Sequence, residues 1–309
     1  MRLSEETILK IADYLILSST NTLETGIYKG KAGHALSLFE LAALINNENI
    51  EQAAFNIIKE ALLTKTQNIN FKEGLSGLGY VLLYLIKYNF IDADFRELFW
   101  EKDDLILNSN NTDVDILPYL ILRNDDYTDP RILNIICDII NSNIDFFYRK
   151  LDNGIWHYLQ NKNDITSLLC DFYRKLYILR EQNIISKINF TSKIEQFYRF
   201  VYSKINHLQL TPEGKLYLNY PKIRKVKIAF SKEELAVMDF PQLIRLCLLS
   251  ARNKELVFDN PFKNIDDTNF ENILYSSTKM KIENILQFVL YYITVHKQDT
   301  FKRVFNTFV

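Results

Sequence analysis

Two short glycine turns, each running directly into a helix-length apolar segment, restrict this chain more than any other feature of its sequence. The clearer one is Phe71 to Phe90, FKEGLSGLGYVLLYLIKYNF, where Gly74, Gly77 and Gly79 precede the apolar run Val81 to Ile86. Glycine permits φ > 0 and lets a turn approach a neighbouring backbone, and a helix that is apolar all round must be buried on most sides. The same design stands earlier, at Gly30-Lys31-Ala32-Gly33 followed by His34 to Leu41. A turn feeding a buried inner helix therefore occurs twice, which marks a repeat.

The segments flanking these turns are one-faced. Residues 4 to 18 open on Ser4 as a helix N-cap and place Ile8, Ile11, Ala12, Leu15 and Ile16 at helical spacing, the pattern of an amphipathic outer helix. A second polar-faced helix spans about 49 to 65. The order is outer helix, glycine turn, inner helix, twice over. It predicts inner helices over about 33 to 46 and 77 to 88, side by side, with Leu36, Leu82 and Leu85 buried.

The pattern continues with the glycines worn away. Asp113 to Leu120, with Pro118 in a first turn where its missing N–H costs little, stands where a third inner helix begins. Asp164 to Tyr173, Ala236 to Leu249 and Glu283 to Tyr292 are a fourth, fifth and sixth, with outer helices at about 131 to 149 and 192 to 206. Spacings of roughly 40 to 50 residues fit an array of helical pairs. One insertion, about 208 to 232, breaks the phase. Its segments Leu216 to Pro221 and Lys222 to Phe230 are rich in β-branched and aromatic residues, which predicts a small exposed β-hairpin.

Composition agrees with an all-α chain. Six prolines and eight glycines in 309 residues leave long unbroken segments, and 48% hydrophobic content supplies a sizeable core. The formal charge of −1 gives no electrostatic case for nucleic acid or an anionic membrane as principal partner. Acids stand at Glu5 and Glu6 where a signal peptide has bases, and no apolar run reaches about 18 residues, so a cytoplasmic protein is expected. Cys137, Cys170 and Cys247 are odd in number and set among apolar residues, as buried free thiols are.

With GIYKGKAGHALSLFELA (26 to 42) and NFKEGLSGLGYVLLYLIKYNFIDAD (70 to 94) in view, the chain resembles the lanthionine synthetase C-like family, in its Bacteroidetes forms. The resemblance covers residues 20 to 108 and beyond them rests on repeat phase. It implies one α/α toroid domain over 1 to 309, with inner helices ringed by outer ones and the glycine turns gathered around a central cavity. Cyclases of the family add a peptide Cys thiol to a dehydrated Ser or Thr, using zinc held by two Cys and one His to lower the thiol pKa. This sequence departs from that pattern. It has no Cys-His dipeptide, Trp100 and Trp156 have no adjacent Cys, and His34, His157, His207 and His296 stand at no ligand-like spacing from the cysteines. No metal site and no cofactor are expected.

Several residues nevertheless invite a functional reading. Lys31, His34, Glu73 and Tyr80 flank the glycine turns and are candidates for the cavity mouth, His34 as base or ligand and Lys31 and Glu73 as holders of a polar substrate. The turns themselves could bind an anion through helix N-terminal N–H groups, but two Gly-x-x-Gly units lack the rest of a phosphate loop, and close packing of turns is the simpler account. Lys222, Arg224, Lys225 and Lys227 form a basic run in a predicted edge strand, suited to an acidic peptide or equally to discouraging aggregation. The resulting expectation is a non-catalytic accessory protein that binds a ribosomally made precursor peptide or its modifying enzyme. The alternatives are an active cyclase and, more remotely, a glycan-active toroid enzyme using Asp113 and Asp115.

Overall fold

The structure, a computed structural model, describes residues 3–28, 30–152, 162–204, 228–231, 256–257 and 282–296, with the single positions 243, 246 and 267. The described chain is mostly helical. It divides by contact into two units, one of Met1–Ser109, Pro118–Tyr127 and Asn260–Phe308, the other of Asn110–Leu117, Thr128–Asp259 and Val309.

The first unit opens with α1 (Glu5–Thr20), α2 (Lys31–Ile45), α3 (Glu48–Leu63), α4 (Leu75–Lys87) and α5 (Phe95–Leu107). α1, α3 and α5 start on side-chain caps: Ser4 accepts from the Thr7 N–H (3.2 Å), Asn47 from Asn49 and Ile50 (3.0 and 3.2 Å), and Asp94 from Arg96 and Glu97 (2.7 and 3.1 Å). Each buries one face only. α2 and α4 are different, for every residue from Ala32 to Ala42 and from Leu75 to Leu85 is buried. α2 packs against α1, α3, α4 and the late helix α11 (Ile282–His296), and α4 also packs on α5. Leu36, Leu82 and Leu85 lie in that core. Each removes apolar surface worth about 1.5–3 kcal/mol from water. Early and late residues bond in this unit, where Leu3 N–H donates to the Tyr292 hydroxyl (3.0 Å) and Ser4 N–H to Asp267 Oδ1 (2.8 Å).

α6 (Leu117–Asp126) follows a 3-10 turn, Val114–Ile116, and carries Pro118 in its first turn. In the second unit α7 (Pro130–Asp152), α8 (Lys162–Glu181), the one-turn α9 (Ile184–Lys187) and α10 (Thr191–Lys204) surround an aromatic core. Phe147 stacks on Phe172 at 5.6 Å, and Phe197 meets both.

The expected helices at 131–149 and 192–206 correspond to α7 and α10, the fourth inner segment lies in α8 and the sixth in α11. The fifth, at 236–249, lies outside the described residues except for Leu243 and the buried Leu246. So does most of the expected hairpin. Within its described residues, β1 (Ile228–Ala229) pairs in parallel with β2 (Leu256–Val257).

Of the two uses expected for the glycines, the described ones show close approach and not positive φ. Gly30 and Gly74, the N-caps of α2 and α4, have φ of −124° and −125°, ordinary extended backbone. The left-handed positions belong instead to asparagines, Asn46 ending α2 at φ 55° and Asn89 following α4 at φ 58°. Asparagine tolerates this region through its short polar side chain. Glycine is kept for close approach.

Candidate functional site

The two glycine turns are hydrogen-bonded to each other. Thr25 N–H donates to the Glu73 carbonyl (3.0 Å), Ile27 N–H to Phe71 (3.3 Å) and Tyr28 N–H to Lys72 (3.0 Å), so the loop before α2 and the loop before α4 form one backbone clasp. Side-chain bulk has no room there. A Cβ on Gly33 would lie 1.8 Å from the Ile27 carbonyl oxygen, and one on Gly77 2.0 Å from that of Phe71 and 2.7 Å from the Ile27 nitrogen.

The same loops consume the donors at the helix starts. In α2 the first three N–H groups are all satisfied by the preceding turn: Lys31 by the Glu24 carbonyl (2.9 Å), Ala32 by Thr25 (3.2 Å) and Gly33 by Gly26 (3.3 Å). At α4 the Leu75 N–H donates to Asn68 O (2.7 Å), and the Ser76 hydroxyl to Ile69 O. A glycine N-cap has no side chain to do this, and carbonyls of the clasp take its place. At α2 the donors that an anion would need are thus already bonded, so that turn is a packing device.

The residues expected around the cavity mouth fall in distinct settings. His34 is fully buried and reaches α1: its Nδ1 faces the Gly30 carbonyl at 3.0 Å, which only accepts, so Nδ1 carries the proton, and Nε2 lies 3.0 Å from Ser18 Oγ. Burial holds its pKa below the ordinary imidazole value, partly offset by the Gly30 bond, and the Lys31 charge lowers it further. Neutral and bonded at both nitrogens, it is a core histidine. Tyr80 is buried edge-on against Phe71 (5.5 Å), which in turn meets Tyr28 (6.2 Å) beneath the clasp. Lys31 Nζ pairs with Glu60 Oε2 on α3 at 2.5 Å. Glu73, half-buried, gives its carbonyl to the clasp, and its N–H donates to Asn70 Oδ1 (3.3 Å). The structure therefore joins the turns that carry Lys31 and Glu73, while the His34 and Tyr80 side chains serve packing.

Asp113 and Asp115 are also placed structurally. Asp113 Oδ1 accepts from the Asp115 N–H (2.9 Å) as the cap of the 3-10 turn, and Asp115 is buried. Cys170 is buried and in no disulfide; Cys137, also in no disulfide, is only half-buried, at the flank of α7, with its pKa raised by burial and by Asp138. Lys222, Arg224, Lys225, Lys227, Cys247, His157 and His207 lie outside the described residues. Among the described residues no cluster of three or more His, Cys, Asp and Glu is disposed to share a metal ion, and no helix is long and apolar enough to cross a membrane.

Two buried polar arrangements escape a reading of the sequence by motif. Between α2 and α4 the Tyr84 hydroxyl donates to Glu40 Oε1, both side chains being enclosed. Between α5 and α6 the Asp103 carboxylate receives Arg123 Nε (3.0 Å), Arg123 Nη2 (2.8 Å) and the Tyr119 hydroxyl, while Arg123 Nη1 donates to the Tyr127 carbonyl (2.6 Å). Burial, with Asp103 adjacent, drives the Tyr119 pKa well above the phenolic range, so it stays a donor. A charged residue, Glu40, inside ALSLFELAAL was the one available signal for the first; Asp103, in the polar run EKDD, offered none.

No family model, curated protein or solved structure matches this chain.

Proposed function

We propose that the chain is a lanthionine synthetase C-like protein without a recognisable zinc site, folded as an α/α toroid. It acts in the cytoplasm as an accessory, partner-binding component of ribosomal peptide modification. The observation that supports this reading is the alternation in the first unit: one-faced α1, α3 and α5 interleave with α2 and α4, which are buried all round and opened by clasped glycine turns. Inner and outer helices in that order are what the sequence resemblance implies. With no Cys-His motif and with His34 bonded at both nitrogens, binding is favoured over thiol activation. The basic run Lys222, Arg224, Lys225 and Lys227 is the proposed receiver of an acidic leader peptide.

A test uses a synthetic peptide with an acidic leader, one cysteine and one dehydroalanine, incubated with protein purified without added metal. The expected result is saturable binding that the Lys222→Glu, Arg224→Glu, Lys225→Glu, Lys227→Glu variant loses, with the free thiol count unchanged. Thioether formation accompanied by stoichiometric zinc would overturn the accessory reading in favour of an active cyclase.

A further inference from the structure

The two partners of the buried His34 ring are the two ends of one loop. Nε2 lies 3.0 Å from Ser18 Oγ in the last turn of α1, and Nδ1 donates across 3.0 Å to the carbonyl of Gly30, the N-cap of α2. The loop between them carries Thr25, Ile27 and Tyr28, whose N–H groups make the clasp. One imidazole therefore pins both ends of the segment that forms half of the clasp. Ser18 has a single hydroxyl proton and two acceptors in reach, His34 Nε2 and the Leu15 carbonyl (3.0 Å). With His34 neutral, that proton goes to Nε2. A protonated ring would instead donate at both nitrogens and turn the Ser18 hydroxyl to Leu15, so neither ring bond is lost and the cost of protonation is that of an enclosed charge.

The described groups around the ring supply no counter-charge. Lys31, on the same helix, is a cation, and Glu60 from α3 is bound to it. α1 carries no charged residue after Asp13, α4 carries its only one, Lys87, in its last turn, and the described side chains of α11 are uncharged. In the two loops Glu24 and Lys72 are exposed and Glu73 is half-buried. The first turn of α2 adds the positive end of a helix dipole.

We propose that His34 is an acid-operated latch on the glycine clasp, releasing the loop between α1 and α2 when the ring takes a proton. Water reaches the ring when Ser18 and Gly30 part from it, and the loop they bound then loosens with its three clasp bonds. The released ring has the ordinary imidazole pKa of about 6.5, whereas burial and the Lys31 charge hold the enclosed ring below it, so the released form binds the proton first. The closed clasp is therefore most stable above about pH 6.5 and weakens as pH falls below it, until the enclosed ring titrates as well. The latch is independent of the accessory reading.

Amide hydrogen exchange of the full chain at about pH 7.5 and about pH 5, expressed as protection factors that remove the intrinsic pH dependence of exchange, tests this. Thr25, Ile27 and Tyr28 are expected to lose about tenfold in protection at the lower pH, while Leu38 and Leu82, inside α2 and α4, keep theirs. His34→Gln, uncharged at both values, is expected to show the same clasp protection at both. In the wild type the His34 ring resonance, followed by NMR, should titrate with the midpoint at which the clasp opens, a readout that stands even where the variant does not fold. Four results overturn the proposal: equal clasp protection at the two pH values, an acid loss that His34→Gln shares, a loss that spreads evenly to Leu38 and Leu82, or a ring titration that does not coincide with the opening.

Discussion

Replacing Gly77 by alanine is expected to cost roughly 3 kcal/mol or more and to lower Tm by roughly 10 °C, with Gly33→Ala close behind. The cause is contact, not torsion. Neither glycine has a left-handed φ, but a Cβ lands 1.8 Å from the Ile27 carbonyl oxygen at Gly33 and 2.0 Å from that of Phe71 at Gly77, and at Gly77 the Ile27 nitrogen of the other loop closes the second side (2.7 Å). At Gly77 relief requires separating the loops, which breaks the Thr25, Ile27 and Tyr28 hydrogen bonds and lets water reach the starts of α2 and α4. The contrast is Asn46→Gly. At φ 55° that position suits glycine, and the substitution is expected to be near neutral in the same thermal melts. Equal effects at Gly77 and Asn46 would show that the loops yield and that the clasp is not tight.

Truncating Asp103 to alanine should be comparably severe, about 3–5 kcal/mol, because it strands the Arg123 guanidinium in the interior. Both partners are nearly enclosed, with side-chain exposures of 8% for Asp103 and 6% for Arg123. The pair itself need contribute little, since desolvating two charges offsets much of their attraction. The Asp103→Ala, Arg123→Met double variant should therefore recover most of the loss. Urea denaturation of the four proteins in a double-mutant cycle measures this; a double variant as unstable as the sum of the singles would mean the groups act separately.

The inner helices were legible because a helix buried on all sides must be apolar all round, and Val81 to Ile86 and Ala35 to Leu41 read that way with Ser37 and Glu40 as the exceptions. The outer helices were legible from caps and spacing, Ser4 and its i, i+3, i+4 apolar set being the clearest case. The reason for the glycines was not. Crowding by the preceding loop, as of Gly33 by Ile27, or by the other loop, as of Gly26 by Glu73, leaves the same letter as a need for positive φ. Asparagines that end helices in the left-handed region, Asn46 and Asn89, look like ordinary polar loop residues. Asp103 faces inward only because Arg123 and Tyr119 arrive from α6, a pairing that no local pattern announces. Likewise the parallel pairing of Ile228–Ala229 with Leu256–Val257 joins segments that no local pattern links. His34 stood next to a turn in sequence, and the Ser18 contact that closes off its second nitrogen comes from the preceding helix.

The claim on which the rest depends is that the glycine turns join two buried helices and hold no ligand. Amide hydrogen exchange at Thr25, Ile27, Tyr28, Lys31, Ala32 and Gly33, with and without inorganic phosphate, measures it directly, since each of these N–H groups is bonded to a carbonyl of the clasp. The account predicts protection close to that of the α2 and α4 interiors and no change when phosphate is added. Rapid exchange at these amides that phosphate slows would contradict it, and would make the turns an anion site after all.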